Sequence, residues 1–306
     1  MGFLGLQGGY IELENFNVNK IFFWSICFMS FFSCFPKKKR TSGGYNEGSL
    51  AIYTDDSFRG VVEALAEAYT ANYPDVRLTV KSVKEDLSFY DLISGKIKLI
   101  ALSKTLSSEE IKEYERHTQL KFQKDYFAVD AVMFVVAKSS NITSLSVSEI
   151  KQKLLSNKKL FIFDGNNSSN INFMAEKIGV KPSRLSYAVI NGNENLAEKL
   201  DVYPGKIGVI SLNTLSRPYA EKPQKLRSKI RVLPVSVNGK EVVPEIQNIR
   251  SMKYPYSRRV YFLVNEGGFG IASGFRRFAC TQKGQMVVEK EGLQPYYLYR
   301  RRVQMK

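Results

Sequence analysis

From residue 50 onward, short apolar runs alternate with stretches whose apolar positions recur at helical spacing. Leu50-Ala51-Ile52-Tyr53 reads as a strand and Thr54-Asp55-Asp56-Ser57 as turn and cap. Phe58–Tyr69 reads as a helix through Val61, Val62, Leu65, Ala68 and Tyr69, and Pro74 ends it. Val76–Val80 is the next strand, Glu85–Ser94 a second helix, Ile97–Leu102 a strand, and Ser107-Ser108-Glu109-Glu110 caps a third helix. Phe127–Ala137 is a long apolar strand, followed by a helix over Leu145–Leu154, a strand over Leu160–Phe163 and a polar loop over Asp164–Asn170. A helix over Ile171–Ile178, a strand running into Val209-Ile210, a strand over Arg231–Val237, a turn at Asn238-Gly239, a strand over Tyr261–Val264 and helices over about 271–291 complete the pattern. Strand–helix alternation of this kind predicts an α/β fold with parallel pairing and crossover helices, in two lobes.

The amino-terminal region has a different pattern. The run 21–33 (IFFWSICFMSFFS) carries no charge, with Lys20 before it and Pro36-Lys37-Lys38-Lys39-Arg40 after it. It is shorter than the roughly 20 residues needed to span a bilayer and fits the apolar region of a secretory leader. Ser33-Cys34 reads as a lipoprotein processing site, so residues 1–33 are expected to be a signal peptide and Cys34 to be lipidated. An uncleaved anchor would hold the chain on the same membrane. Glu12 and Glu14 are out of place in a leader, so 1–17 is expected to be an over-extension, with translation expected to start at Val18. Residues 34–48, basic and then Gly/Ser-rich, read as a flexible tether able to lie on anionic headgroups.

Composition narrows the function. Lys and Arg total 45 against 29 acidic residues, a net charge of +16, so an anionic partner or surface is expected. The basic residues are dispersed, however, and with an export leader nucleic acid is not expected. One histidine, His117, sits in a charged stretch. There is no G-x-S-x-G elbow, no H-E-x-x-H helix and no phosphate-loop motif, so neither an enzyme, a metal nor a cofactor is expected. With Cys27 in the leader and Cys34 lipidated, Cys280 is not expected to form an internal disulfide and reads as a small apolar core residue.

Seven segments in order carry a resemblance to a known family: 52–69, 92–110, 128–154, FDGNNSSNINFM (163–174), GKIGVI (205–210), YPYSRRVYFLVN (254–265) and 275–295. Together they resemble the phosphate-binding receptors of ABC importers, the type II periplasmic binding protein fold, and look closest to lipoprotein versions from the Bacteroidota. The resemblance implies two lobes, each a mixed sheet flanked by helices, with lobe I formed by 49–127 and 253–306 and lobe II by 128–252. It also implies a monomer that binds an oxyanion, phosphate in the family, in the cleft between the lobes. The partner would be an importer permease or another inner-membrane envelope complex, with the chain lipid-anchored in the periplasm or cell envelope.

Metal-free anion receptors use backbone N–H groups at helix N-termini, reinforced by hydroxyls. Two loops have that design. Thr54, Ser57 and Phe58 match the family's first-lobe loop, and Ser168, Ser169 and Asn170 stand where the family has its Ser-Gly-Thr loop. Lys104 stands in place of an arginine, and an ammonium lacks the bidentate guanidinium fork. Val83-Lys84-Glu85-Asp86 replaces a Gly-Ser loop, and no arginine accompanies Phe161-Ile162-Phe163. Asp55, Asp56 and Glu85 would repel a dianion unless paired, for example with Lys84 or Lys104. The alternative function is therefore a binding-protein-like envelope scaffold or sensor that has lost its phosphate site and acts through protein partners.

Overall fold

A computed structural model describes residues 44–298. The leader, Cys34, most of the tether and the arginine run 300–302 lie outside the described residues. Strand β1 (Gly48–Thr54) is followed by a short 3₁₀ turn (Asp56–Phe58) and helix α1 (Arg59–Asn72). Then come β2 (Val76–Ser82), α2 (Glu85–Ile93), β3 (Leu99–Leu102) and α3 (Ser108–Thr118). β1 pairs in parallel with both β2 and β3, as crossover helices require. α3 opens with a capping box in which Ser107 and Glu110 satisfy each other's backbone N–H groups.

β4 (Asp125–Ala137) is the spine of the molecule. It is followed by β5 (Leu145–Ser146), α4 (Val147–Leu155), β6 (Phe161–Phe163), α5 (Ser169–Ile178), β7 (Tyr187–Val189) and α6 (Asn193–Lys199). Next are β8 (Ile207–Ser211), α7 (Asn213–Ser216), α8 (Glu221–Lys229), β9 (Ile230–Val232), β10 (Val235–Val237), β11 (Lys240–Val242) and α9 (Ile246–Arg250). β12 (Ser257–Val264), α10 (Ile271–Cys280), α11 (Gln282–Lys290) and β13 (Gln294–Pro295) complete the described chain.

The sheet runs β2-β1-β3-β12-β4-β8-β6-β7, with β13 and β9 also pairing to β4. The first half of β4 pairs with β12 and β13, and its second half with β8 and β9. Apolar packing divides along the same line. One cluster gathers Ile52, Leu65, Phe127, Phe262 and Phe275 beneath α1 and α10, and another gathers Phe134, Phe161, Ile171, Ile207 and Tyr254 around α5. The architecture is a mixed α/β fold of two lobes sharing a continuous sheet.

Two expected elements differ. The helix expected over Leu145–Leu154 begins at Val147, because Leu145 and Ser146 pair with β10 and Ser146 then caps the helix. The single strand expected over Arg231–Val237 is two. Pro234 has no N–H for a ladder, so β9 stays on β4 while β10 turns away to form a hairpin with β11. Among the described residues no helix is long and apolar enough to cross a membrane.

Candidate functional site

The loop between β1 and α1 meets the loop between β6 and α5 on the sheet. Thr54, Asp55, Ser168, Ser169 and Asn170 are 0% exposed and Ser57 is 1% exposed. Asp55 follows β1 in extended conformation, and its Oδ1 accepts from the N–H of Ser57 at 3.1 Å, capping the 3₁₀ turn. Thr54 Oγ1 donates to the Asp55 carbonyl at 3.2 Å, and the Phe58 N–H donates to the same carbonyl at 3.0 Å.

The same carboxylate caps a second helix. Ser169, the first residue of α5, donates from its N–H to Asp55 Oδ2 at 3.2 Å and from Oγ to Oδ1 at 2.8 Å. Ser168 is the N-cap of α5 but makes no side-chain cap bond. Its hydroxyl donates instead to Asp164 Oδ1 at 2.8 Å. Asp56 repeats the arrangement at the next helix: its Oδ2 accepts from the Asn193 N–H at 2.7 Å, where α6 begins behind a glycine N-cap. Two adjacent carboxylates thus meet the positive ends of two helices from the other half of the sheet.

Further polar groups close around this contact. Asn170 Nδ2 donates to Asp164 at 3.1 Å and to Asn193 Oδ1 at 3.0 Å. Lys84 Nζ donates to the Asp164 carbonyl at 2.9 Å and lies 3.7 Å from its carboxylate. Buried Glu85 accepts from the N–H groups of Ser103 and Lys104 at 2.7 and 3.1 Å, and from Asn172 Nδ2 at 3.1 Å. The Lys104 ammonium is held by Asp86 and Glu110, each at 2.8 Å. The ion pairs therefore differ from those expected for Asp55 and Glu85. Lys84 serves Asp164, Lys104 serves Asp86, and Asp55 and Glu85 are stabilised by amides and hydroxyls.

Behind the loops lies a buried ion pair. Arg258 on β12 donates from Nε to Asp130 on β4 at 2.8 Å, and its Nη2 is also 2.8 Å from that carboxylate, off the hydrogen-bond axis. Arg258 Nη1 reaches Ser169 Oγ at 3.4 Å, and the guanidinium packs 4.6 Å from the Phe58 ring centroid. Ser211 Oγ lies 3.0 Å from both Asp130 oxygens and 2.8 Å from the Ser57 carbonyl. Arg258 brings a guanidinium to 3.4 Å from Ser169 Oγ, but it stands on β12 and not beside Phe161–Phe163, and its charge is paired with Asp130. Its signal was a charge inside an apolar strand, and the same holds for Asp130. Asn193 and Ser211 gave no local signal.

Burial dominates the protonation of these acids. It raises Glu85 against the N–H bond from Ser103, and raises Asp130 against the charge of Arg258. Burial and then the neighbouring charge of Asp55 push Asp164 up to about 6, opposed by Lys84. Beside the cluster is a cavity of about 320 Å³ bordered by Asp56, Asn193, Asn213, Arg59, Arg217 and Lys222. Its cations are paired with Glu63, Glu291 and Glu194 respectively.

A family model described as a PBP superfamily domain matches residues 40–283, and the chain belongs to this superfamily of periplasmic-binding-protein-like domains. Membership supports solute binding and leaves the solute open. Solved structures share the fold. A substrate-binding protein assigned to phosphate ABC transport, with bound phosphate, from Clostridium perfringens aligns with a TM-score of 0.66 at 20% identity, over 82% of this chain and 100% of that one. An ABC-type phosphate transport receptor from Vibrio cholerae aligns with a TM-score of 0.60 at 15% identity, over 81% of this chain and 100% of that one. The sulfate-binding protein SubI from Mycobacterium tuberculosis aligns with a TM-score of 0.54 at 16% identity, over 82% and 88%. At these identities the likeness shows the fold alone. No curated protein matches the chain in sequence.

Proposed function

We propose that this chain is an extracytoplasmic solute-binding protein that holds an oxyanion between two lobes and serves an ABC-type importer. One observation carries the reading: the N–H of Ser57, the N–H of Ser169 and the Oγ of Ser169 converge from two loops on a single carboxylate. Donors that converge on an oxyanion at a helix N-terminus are the means by which proteins recognise phosphate, sulfate and carboxylate. Phosphate is the first candidate, because the fold is shared with a structure containing bound phosphate. Thr54, Ser57, Phe58, Ser168, Ser169 and Asn170 form the site in this reading, and Lys104 borders it through its amide. The lobes are 49–127 with 253–306, and 128–252; the apolar clusters on the two halves of β4 favour this division, although Tyr254 and Tyr256 pack in the second cluster. Cys34 is the proposed lipid anchor, and the chain acts as a monomer with an inner-membrane permease.

The second reading, an envelope scaffold or sensor acting through protein partners, is favoured by one fact: the converging donors already bond to the chain's own Asp55. Calorimetric titration of the full chain with phosphate, sulfate and molybdate separates the two. Saturable micromolar binding of one anion supports the receptor. Silence to all three, with a protein partner recovered by crosslinking, rejects it for the scaffold.

A further inference from the structure

We infer that Asp55 is the cleft's built-in anion, a specificity-determining residue whose carboxylate occupies the oxyanion seat, so that a solute anion binds by displacing it. The inference rests on the oxyanion reading of that seat.

The geometry of Asp55 is that of a ligand. Its carboxylate is fully buried and accepts three bonds: from Ser57 N–H at 3.1 Å, Ser169 N–H at 3.2 Å and Ser169 Oγ at 2.8 Å. The donors stand on two loops more than a hundred residues apart, as they would around a solute gripped from both sides. Arg258, 2% exposed, adds a cation 3.4 Å from Ser169 Oγ. Charge-assisted bonds of this kind are stronger than neutral ones in a site that excludes water.

The capping pattern gives independent support. α3 and α4 are capped locally, by Ser107 with Glu110 and by Ser146 with Glu149. α5 has a serine at the same N-cap position, yet that hydroxyl points to Asp164 and makes no cap bond. The first turn of α5 is thus left to receive an anion from outside its own segment. Asp55 supplies it, while Asp56 on Asn193 of α6 and Glu85 of α2 on Asn172 of α5 add further bonds between the two halves of the sheet. In a hinged binding protein the solute is the bridge that favours the closed state. Here the chain makes the bridge itself, and the apparent affinity for a solute falls by the fraction of molecules in which Asp55 has left the seat.

The test compares the full chain with Asp55→Ala and Asp55→Asn, using sodium formate and inorganic phosphate as probes in thermal-shift and calorimetric titrations. Asp55→Ala is expected to lose thermal stability in anion-free buffer and to regain it with formate or phosphate, with phosphate bound at least about tenfold more tightly than by the wild type. Adding Ser169→Ala to that variant should abolish the response. Equal response of wild type and Asp55→Ala overturns the inference, as does a folded Asp55→Ala that responds to neither anion. If the alanine variant does not fold, Asp55→Asn, which keeps the shape and removes the charge, decides: phosphate affinity no higher than wild type overturns the inference. Micromolar phosphate binding by wild type with no gain in either variant would leave the receptor reading standing without Asp55's role. Binding by the variants alone supports Asp55 as the occupant of the seat, overturns its displacement by a solute in the wild type, and removes the importer reading.

Discussion

Arg258 and Asp130 form an ion pair, Nε to Oδ2 at 2.8 Å, between side chains that are 1% and 0% exposed. It joins β12 to β4, the two strands on which both halves of the sheet meet, and it backs the loops that hold Asp55 and Ser169. A buried pair of this kind contributes little over an apolar replacement, but losing one partner leaves the other charged and without water.

Arg258→Met should therefore destabilise the fold by about 3–5 kcal/mol in urea unfolding, with Asp130 left facing Ser211 and the Asn213 N–H. Adding Asp130→Asn should recover part of that loss, because the stranded charge is removed. A cost for Arg258→Met below about 1 kcal/mol would refute the pair's structural role.

Ser168 and Ser169 bear on stability as well as on binding. Each hydroxyl is buried and donates to a carboxylate at 2.8 Å, Ser168 to Asp164 and Ser169 to Asp55. Ser168→Ala and Ser169→Ala should each cost about 1–3 kcal/mol, the range for leaving a buried acceptor short of a donor. If chemical denaturation showed both variants as stable as wild type, these bonds would not hold the loops together.

Asp164 should give stability a distinct pH slope. Its folded-state value, pushed up to about 6 by burial and by Asp55, lies above that of an unfolded aspartate, so the native state holds the proton more tightly. Its stabilising contribution is complete below about pH 4 and is lost as pH rises through about 6. The stability of Asp164→Asn relative to wild type should accordingly grow over that window, by at most about 3 kcal/mol. The contact of Asn193 Nδ2 with the new amide adds only a constant offset. A flat difference from pH 4 to pH 7 would show that Asp164 titrates normally.

Gly292 tests the join between the carboxy-terminal helices and the segment after β8. Its φ is +75°, and a Cβ would stand 2.2 Å from the Ser216 carbonyl oxygen, beside the Arg217–Glu291 ion pair at 2.6 Å. Gly95 has nearly the same backbone, φ +77°, with open space around it. Gly95→Ala should cost about 1 kcal/mol of backbone strain, and Gly292→Ala clearly more. Equal melting temperatures for the two variants would mean that the Ser216 contact yields freely.

Much of the fold is legible in local pattern. The strand–helix alternation through α3, the cap at Ser107 and the apolar length of β4 rest on forces acting within a few residues, and each leaves a signature in spacing. The two donor loops are legible for the same reason, since Ser, Asp and Asn ahead of an amphipathic run signal a helix start. The break at Pro234 was also written in the chain, but competition between two ladders settled where β9 and β10 went.

The partnerships inside the site were not legible. By itself the sequence determined the two lobes' strand–helix units and the positions of the donor loops, and it made Asp55, Asp56 and Glu85 look like repulsive charges facing an anion site. Only the tertiary structure decided that Asp55 would cap α5, that Asp56 would cap α6, and that Arg258 would pair with Asp130 on a distant strand behind these loops. The physical reason is that a carboxylate's effect depends on which dipoles and cations surround it once water is excluded. Those neighbours are brought together by the packing of the sheet, across more than a hundred residues of chain.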